Sequence, residues 1–217
     1  MRLVVMLAAI ALATTVALAQ DLPLLFQDDF EKGAERWQPT DTKAWKVDKR
    51  GETNVFHQFR QSQYTPPFRS PLNFALVKDL IVGDFVLEAK ALSTAKDGPH
   101  RDMCLFWGYQ DSSHYYYAHI AKQADDRANQ IFIVNGKERV KISSSSSKGT
   151  PWDDKWHNIK LVRKANDGDI AVYWDDMKSP IMTAKDATFA WGQVGVGSFD
   201  DTGLWDDVKI SGIVHKK

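Results

Sequence analysis

Past Gln20 the apolar positions of this chain alternate or come in short runs, and turn formers interrupt them before any helical period is established. Leu24–Phe30, Trp45–Val47 and Asn54–Phe59 read as strands, the last two separated by a turn at Arg50-Gly51. Tyr64–Pro71 carries three prolines and reads as a loop or edge segment, because proline cannot donate to a ladder. Phe74–Val77 and Asp84–Leu92 follow, the second placing Phe85, Leu87, Ala89 and Ala91 on one face. Ile131–Val134 runs into Asn135-Gly136, a strong hairpin signal, and Glu138–Ile142 returns. The serine run Ser143–Ser147 reads as a polar loop, and Trp156–Lys164, Asp169–Asp175, Pro180–Ala184, Gly192–Phe199 and Trp205–Gly212 complete the strands. Short strands at this spacing with no helix between them predict an all-β fold, an antiparallel two-sheet jelly-roll sandwich.

The most informative stretch is Asp102–Ile120, DMCLFWGYQDSSHYYYAHI, two aromatic-rich strands broken at Gln-Asp-Ser-Ser-His. If the loop holds an even number of residues centred on Ser112-Ser113, Tyr109 lies opposite Tyr116 and Trp107 opposite Ala118. Leu105, Trp107, Tyr109, Tyr116, Ala118 and Ile120 then share a core face, and Phe106, Gly108, Tyr115, Tyr117 and His119 share the other. A three-residue loop would exchange the faces and expose Trp107 instead. Tyrosine offers a flat apolar surface with a hydroxyl tip, which suits a sugar ring. Tyr115, Tyr117 and His119 are therefore the expected carbohydrate platform, with Arg101 and His57 at its edges.

Composition narrows the setting. Met1-Arg2, an apolar run from Leu3 to Leu18 and an A-x-A site at Ala17–Ala19 form a secretory leader, shorter in its apolar part than the roughly 20 residues of a spanning helix. Cleavage after Ala19 leaves residues 20–217 as one secreted or periplasmic domain, with no membrane insertion expected. Lys+Arg and Asp+Glu balance at 28 each, so no bulk charge draws the chain to nucleic acid. The single cysteine, Cys104, lies in mid-strand and reads as a buried thiol without a disulfide partner. No Gly-rich phosphate loop, Cys/His zinc spacing or G-x-S-x-G is present.

The succession FQDDFE (26–31), GDFVLE (83–88), FWGYQD (106–111), WHNIKLV (156–162), IAVYWDD (170–176), GQVGVGSF (192–199) and WDDVKI (205–210) resembles the concanavalin A-like lectin/glucanase superfamily, and within it laminin-G-like bacterial secreted domains. The likeness spans nearly all of residues 20–217. It implies two curved sheets of about six or seven strands each, one of them often holding a glycan. The superfamily contains lectins, glycosidases, polysaccharide lyases and interaction modules, so fold follows from the likeness more closely than activity. The Glu-x-Asp-x-x-Glu string of its family-16 glucanases is absent, and no catalytic residue transfers.

Two further groups carry candidate chemistry. Asp28-Asp29 ends the first strand and Asp206-Asp207 lies in the last. Asp206 shares a face with Val208 and Ile210, so it points inward if they do, and a buried carboxylate needs a partner or a metal. In the look-alike domains the first and last strands are neighbours, and a structural calcium can sit where they meet. Asp28, Asp29, Asp206 and Asp207 are accordingly the expected metal set. Asp200-Asp201 and Asp175-Asp176 read as loop and turn carboxylates. Tyr117, His119 and Arg101 resemble in kind the base, acid and charge-neutralising groups of the lyases. The functional expectation is a lectin-like domain binding a polysaccharide or glycoside through an aromatic sheet face. The alternatives are a glycoside hydrolase or lyase on the same fold, and a protein-interaction module.

Overall fold

The computed structural model describes residues 22–216, so the leader read at residues 1–19 lies outside the described residues. Its strands are β1 (Leu24–Asp28), β2 (Trp37–Pro39), β3 (Trp45–Arg50), β4 (Thr53–Gln58), β5 (Asn73–Val77), β6 (Val82–Ser93), β7 (Asp102–Asp111) and β8 (His114–Ala121). They continue with β9 (Gln130–Asn135), β10 (Val140–Lys141), β11 (Ser143–Ser146), β12 (His157–Lys164), β13 (Asp169–Trp174), β14 (Met182–Lys185), β15 (Gln193–Ser198) and β16 (Gly203–Val214). A single 3-10 turn at Thr42–Ala44 is the only helical element among the described residues. No helix there is long and apolar enough to cross a membrane.

Two antiparallel sheets pack face to face. One has nine strands in the order β11-β14-β13-β12-β6-β16-β4-β3, with β1 pairing beside β16; the other has seven in the order β10-β9-β8-β7-β15-β5-β2. The jelly-roll sandwich expected from strand spacing is the fold observed. The nine-stranded sheet exceeds the implied size because β1 shares an edge of β16 with β4 and because the serine run joins it. Ser143–Ser146 is not a loop: it pairs with β14, Ser146 opposite Met182 and Ser143 opposite Ala184. An edge strand that is polar on both faces carries no alternation to read, and its pairing comes from backbone groups that every residue has.

Phe85, Leu87, Ala89 and Ala91 of β6 face inward, as their alternation predicts, among Trp37, Trp107, Trp205, Leu161 and Val172. The β7–β8 hairpin turns at Ser112-Ser113 with Asp111 opposite His114, the even loop of the expected register. From Trp107 onward, however, the ladder pairs Trp107 with Tyr116 and Leu105 with Ala118. Two extra residues are absorbed between Trp107 and Asp111, at Gly108, whose φ of +58° is open to glycine at little cost. A Cβ there would also lie 3.1 Å from the Tyr116 ring. Because two residues are inserted rather than one, the facial division of Leu105, Trp107, Tyr116, Ala118 and Ile120 from Phe106, Tyr115 and Tyr117 survives. Tyr109 alone changes side: it packs against Phe74 and Tyr115, with ring centroids 5.8 and 5.5 Å away, and not in the main core.

Candidate functional site

The aromatic face expected to bind is covered. Phe74, Leu76, Cys104, Phe106, Tyr115, Tyr117, Phe132 and Val134 form a second core on the outer side of the seven-stranded sheet, closed by Tyr64, Phe68, Tyr109 and Phe199. Tyr115, Tyr117 and His119 are 1%, 0% and 4% exposed. Arg139 donates to the Tyr117 hydroxyl at 2.7 Å, and its guanidinium lies 4.6 and 4.5 Å from the Phe132 and Phe199 ring centres. The proline-bearing stretch 64–71 folds back over this face because so much aromatic surface left in water would forfeit its burial free energy. Alternation along a strand identifies a face but says nothing of what covers it.

The other expected edge residues lie elsewhere. Arg101 is buried, its side chain turned to Ser93 and to the 153–154 loop, where it donates to the carbonyls of Ser93 (2.6 Å) and Asp153 (2.9 Å). His57 lies on the nine-stranded sheet, 2.9 Å from Asp48 through Nδ1. Lys46 and His57 hold the Asp48 carboxyl down to about 2. Arg101, Tyr117 and His119 therefore do not present a joint lyase-like group to a substrate.

The acidic set fares differently. Asp28 leaves it: buried, it accepts from the Trp37 indole (3.0 Å) and the Phe30 amide (3.1 Å) and pairs with Arg36. Asp29, Asp206 and Asp207 come together with Glu31, Thr53, Lys90 and Trp156 around a cleft of about 420 Å³ on the outer side of the nine-stranded sheet. The cleft exists because β16 changes partner there, from β4 at Gly203–Trp205 to β1 at Val208–Ser211. A bulge accompanies the change: Asp206 is opposite Lys90 but Lys209 is opposite Glu88, and Asp207 takes φ of +48°. Trp205 and Val208 both face the core. The extra residue thus turns Asp206 outward, against the expectation that it points inward with Val208 and Ile210. Aspartate is among the few residues that tolerate this left-handed conformation.

Lys90 pairs with Asp207 at 2.7 Å, and Asp206 accepts from the Asp207 amide at 2.8 Å. Partial burial, with the negative charges of Asp207 and Asp29 beside it, pushes the Asp206 carboxyl up to about 6. Glu31 is held by the Asn54 amide and side chain at 2.7 and 3.0 Å, which fastens the end of β1 to β4 across the cleft. Trp156, packed on Val55, Leu92 and Leu204, supplies an aromatic wall.

A pH effect follows from Asp206. Its folded form holds a proton more tightly than its unfolded form, so unfolding releases a proton between about pH 4 and 6 and the folded state loses stability as pH rises through that window. Asp206→Asn removes the group that titrates. Its melting temperature relative to the parent should be higher at about pH 7.5 than at about pH 4, and an equal difference at both would contradict this environment.

A second cluster lies on the seven-stranded sheet, where the sequence predicts a carbohydrate platform including His119 but no metal site. Asp102 and Cys104 of β7 meet His119 of β8, opposite Cys104 in register. Burial drives the Cys104 thiol well above its ordinary value, in keeping with the buried thiol read from the sequence. Asp200 and Asp201 approach Asp102 from the loop between β15 and β16, and burial beside Asp102 pushes Asp201 up to about 7.

With these geometries in view, comparison with solved structures is informative. The chain is similar to the carbohydrate-binding module CBM66 from Bacillus subtilis, with a TM-score of 0.57 and 19% identity over 82% of this chain and 96% of that one. The fold is an antiparallel jelly-roll sandwich. It is also similar to a Bacillus subtilis protein of unknown function with a galectin-like fold (TM-score 0.57, 10% identity, 89% and 98% covered). Winged bean acidic lectin, solved with methyl-α-D-galactose, is another (TM-score 0.54, 11% identity, 88% and 98% covered). No protein-family model and no curated sequence matches the chain. These likenesses speak to the jelly-roll fold alone, while function depends on the site itself.

Proposed function

We propose that this protein is an exported carbohydrate-binding domain whose ligand lies in the cleft at Asp29, Glu31, Lys90, Trp156, Asp206 and Asp207. The observation that carries this reading is an aromatic wall, Trp156, facing a carboxylate row within one cleft of about 420 Å³. A pyranose or furanose has an apolar face that stacks on indole and hydroxyl edges that need both acceptors and donors. Asp29 and Asp207 supply acceptors, Lys90 a donor, and Asp206, with its carboxyl near 6, can serve as either around neutrality. The carbohydrate-binding neighbours support a sugar ligand, and the leader read at residues 1–19 supports export. The laminin-G-like likeness within the superfamily belongs to the same reading.

A glycan array followed by calorimetry on the hits tests it. Trp156→Ala should weaken binding at least tenfold, whereas Tyr117→Phe, which keeps the covered face packed, should leave it unchanged. Binding that survives Trp156→Ala unaltered would remove the cleft from consideration, and capture of a protein partner in place of any glycan would favour an interaction module.

Asp206 also supports a second reading, glycoside hydrolysis. A carboxyl raised to about 6 within a group of carboxylates is an environment from which such enzymes draw their general acid. New reducing ends from a polysaccharide panel, lost in Asp206→Asn, would establish it. Calcium is the competing occupant, since Asp29, Asp206 and Asp207 offer the oxygens it takes. The Lys90 ammonium beside Asp207 already supplies positive charge there, which favours the sugar. A rise in melting temperature on adding Ca²⁺, abolished in Asp206→Asn, would reverse that preference.

A further inference from the structure

The base of the β7–β8 hairpin contains an unresolved electrostatic contact. His119 Nδ1 lies 2.9 Å from the backbone carbonyl of Arg127, which can only accept, so Nδ1 carries the hydrogen. In a neutral ring Nε2 is then a lone pair, and it faces Asp102 Oδ2 at 3.3 Å. Both atoms are buried and neither has a hydrogen-bond partner. The other Asp102 oxygen is occupied, accepting from the Phe199 amide at 2.8 Å and from the Cys104 thiol at 3.5 Å. Two acceptors aimed at each other in a dry pocket require a positive species between them.

The spacing accommodates a metal ion as well as a proton. A charge-assisted N–H···O bond brings its heavy atoms to about 2.7–2.9 Å. Donors about 2.0–2.2 Å from a tetrahedral zinc ion lie roughly 3.3–3.5 Å apart. The observed 3.3 Å falls in the second range. Cys104 Sγ completes a triad in which the three ligand atoms all lie within 4.8 Å of one another. The imidazole is further oriented by its carbonyl partner, as metal-bound histidines commonly are.

We propose that Asp102, Cys104 and His119 bind a divalent transition-metal ion of the zinc class, with the Asp200-Asp201 loop at the open side. A thiolate and an imidazole select zinc-like ions over calcium or magnesium. One carboxylate and one thiolate neutralise the dication, so the buried site carries no net charge. Asp201 already ties the loop to the hairpin through the Asp102 amide at 2.8 Å, and Asp200 beside it is exposed. The ion would join two strands and a loop in a chain whose single cysteine permits no internal disulfide.

The test uses Co²⁺ as a visible substitute for Zn²⁺ on the purified protein, stripped with chelator and kept reduced. The expected result is equimolar uptake with thiolate-to-cobalt charge-transfer absorption, displacement by Zn²⁺, and a rise in melting temperature with Zn²⁺ but not Mg²⁺. Cys104→Ser, nearly isosteric, should lose the charge-transfer band, and His119→Ala should weaken Co²⁺ binding at least tenfold. Absence of the band in the parent protein, its persistence in Cys104→Ser, or a melting temperature indifferent to Zn²⁺ would overturn the proposal and leave an imidazolium proton holding the pair. The parent measurements need no variant to fold. The residues lie on the opposite sheet from the cleft, so failure of glycan binding would not bear on them.

Discussion

Trp107→Ala should lower the unfolding free energy by about 3–5 kcal/mol, read as a fall in the urea midpoint without a change in slope. Trp107 is fully buried at the centre of β7 and stacks on Tyr116 of β8, ring centroids 5.6 Å apart and planes 20° from parallel. Tyr116 in turn hydrogen-bonds Asp186 through its hydroxyl and accepts from the Phe189 amide at 2.9 Å. Arg163 holds the carbonyls of Gly168, Asp186 and Phe189 beneath the same ring. A cavity at Trp107 therefore opens the contact through which the hairpin braces the far sheet. The Trp107 indole nitrogen has no partner, so its loss relieves one unsatisfied donor and places the cost toward the lower end. Trp107→Phe keeps most of the packing and should cost no more than about half as much. Equal losses in the two variants would contradict packing as the source.

Arg101→Met should cost about 3 kcal/mol, and any glycan affinity of the folded variant should be unchanged. The penalty comes from the carbonyls of Ser93 and Asp153, which lose a buried charged donor, and not from the ion pair. Asp154, the acidic partner, has a side chain 93% exposed, so Asp154→Ala should change stability by less than about 0.5 kcal/mol. Lysine presents a point charge where three directed N–H groups are used, so Arg101→Lys should rescue little of the loss. A glycan-affinity loss in Arg101→Met without a stability loss would restore the residue to the binding edge where its sequence position placed it.

The two proposed sites show why the chain was readable in part. Strand identity and facing came through wherever one side of a strand is buried, as in β6 and in the hairpin up to Trp107, because side chains alternate with a period of two. Facing failed at Gly108 and at Asp206-Asp207, where bulges add residues the period does not anticipate. Asp29, Asp206 and Asp207 were recognisable as neighbours because the ends of the first and last strands were expected to meet. Trp156 could not be joined to them, since its approach depends on β12 lying beside β6. The Asp102, Cys104 and His119 group escaped because its spacing matches no local metal motif; strand pairing alone brings positions 104 and 119 opposite each other.

By itself, then, the sequence determined the all-β sandwich, the main core face of the hairpin and the isolation of Cys104, since all three rest on local period and composition. Only the tertiary structure decided which aromatic face is covered, which carboxylates share a cleft and what His119 faces. Those outcomes depend on cover segments, bulges and strand neighbours far apart in the chain, and hydrophobic alternation carries no information about any of them.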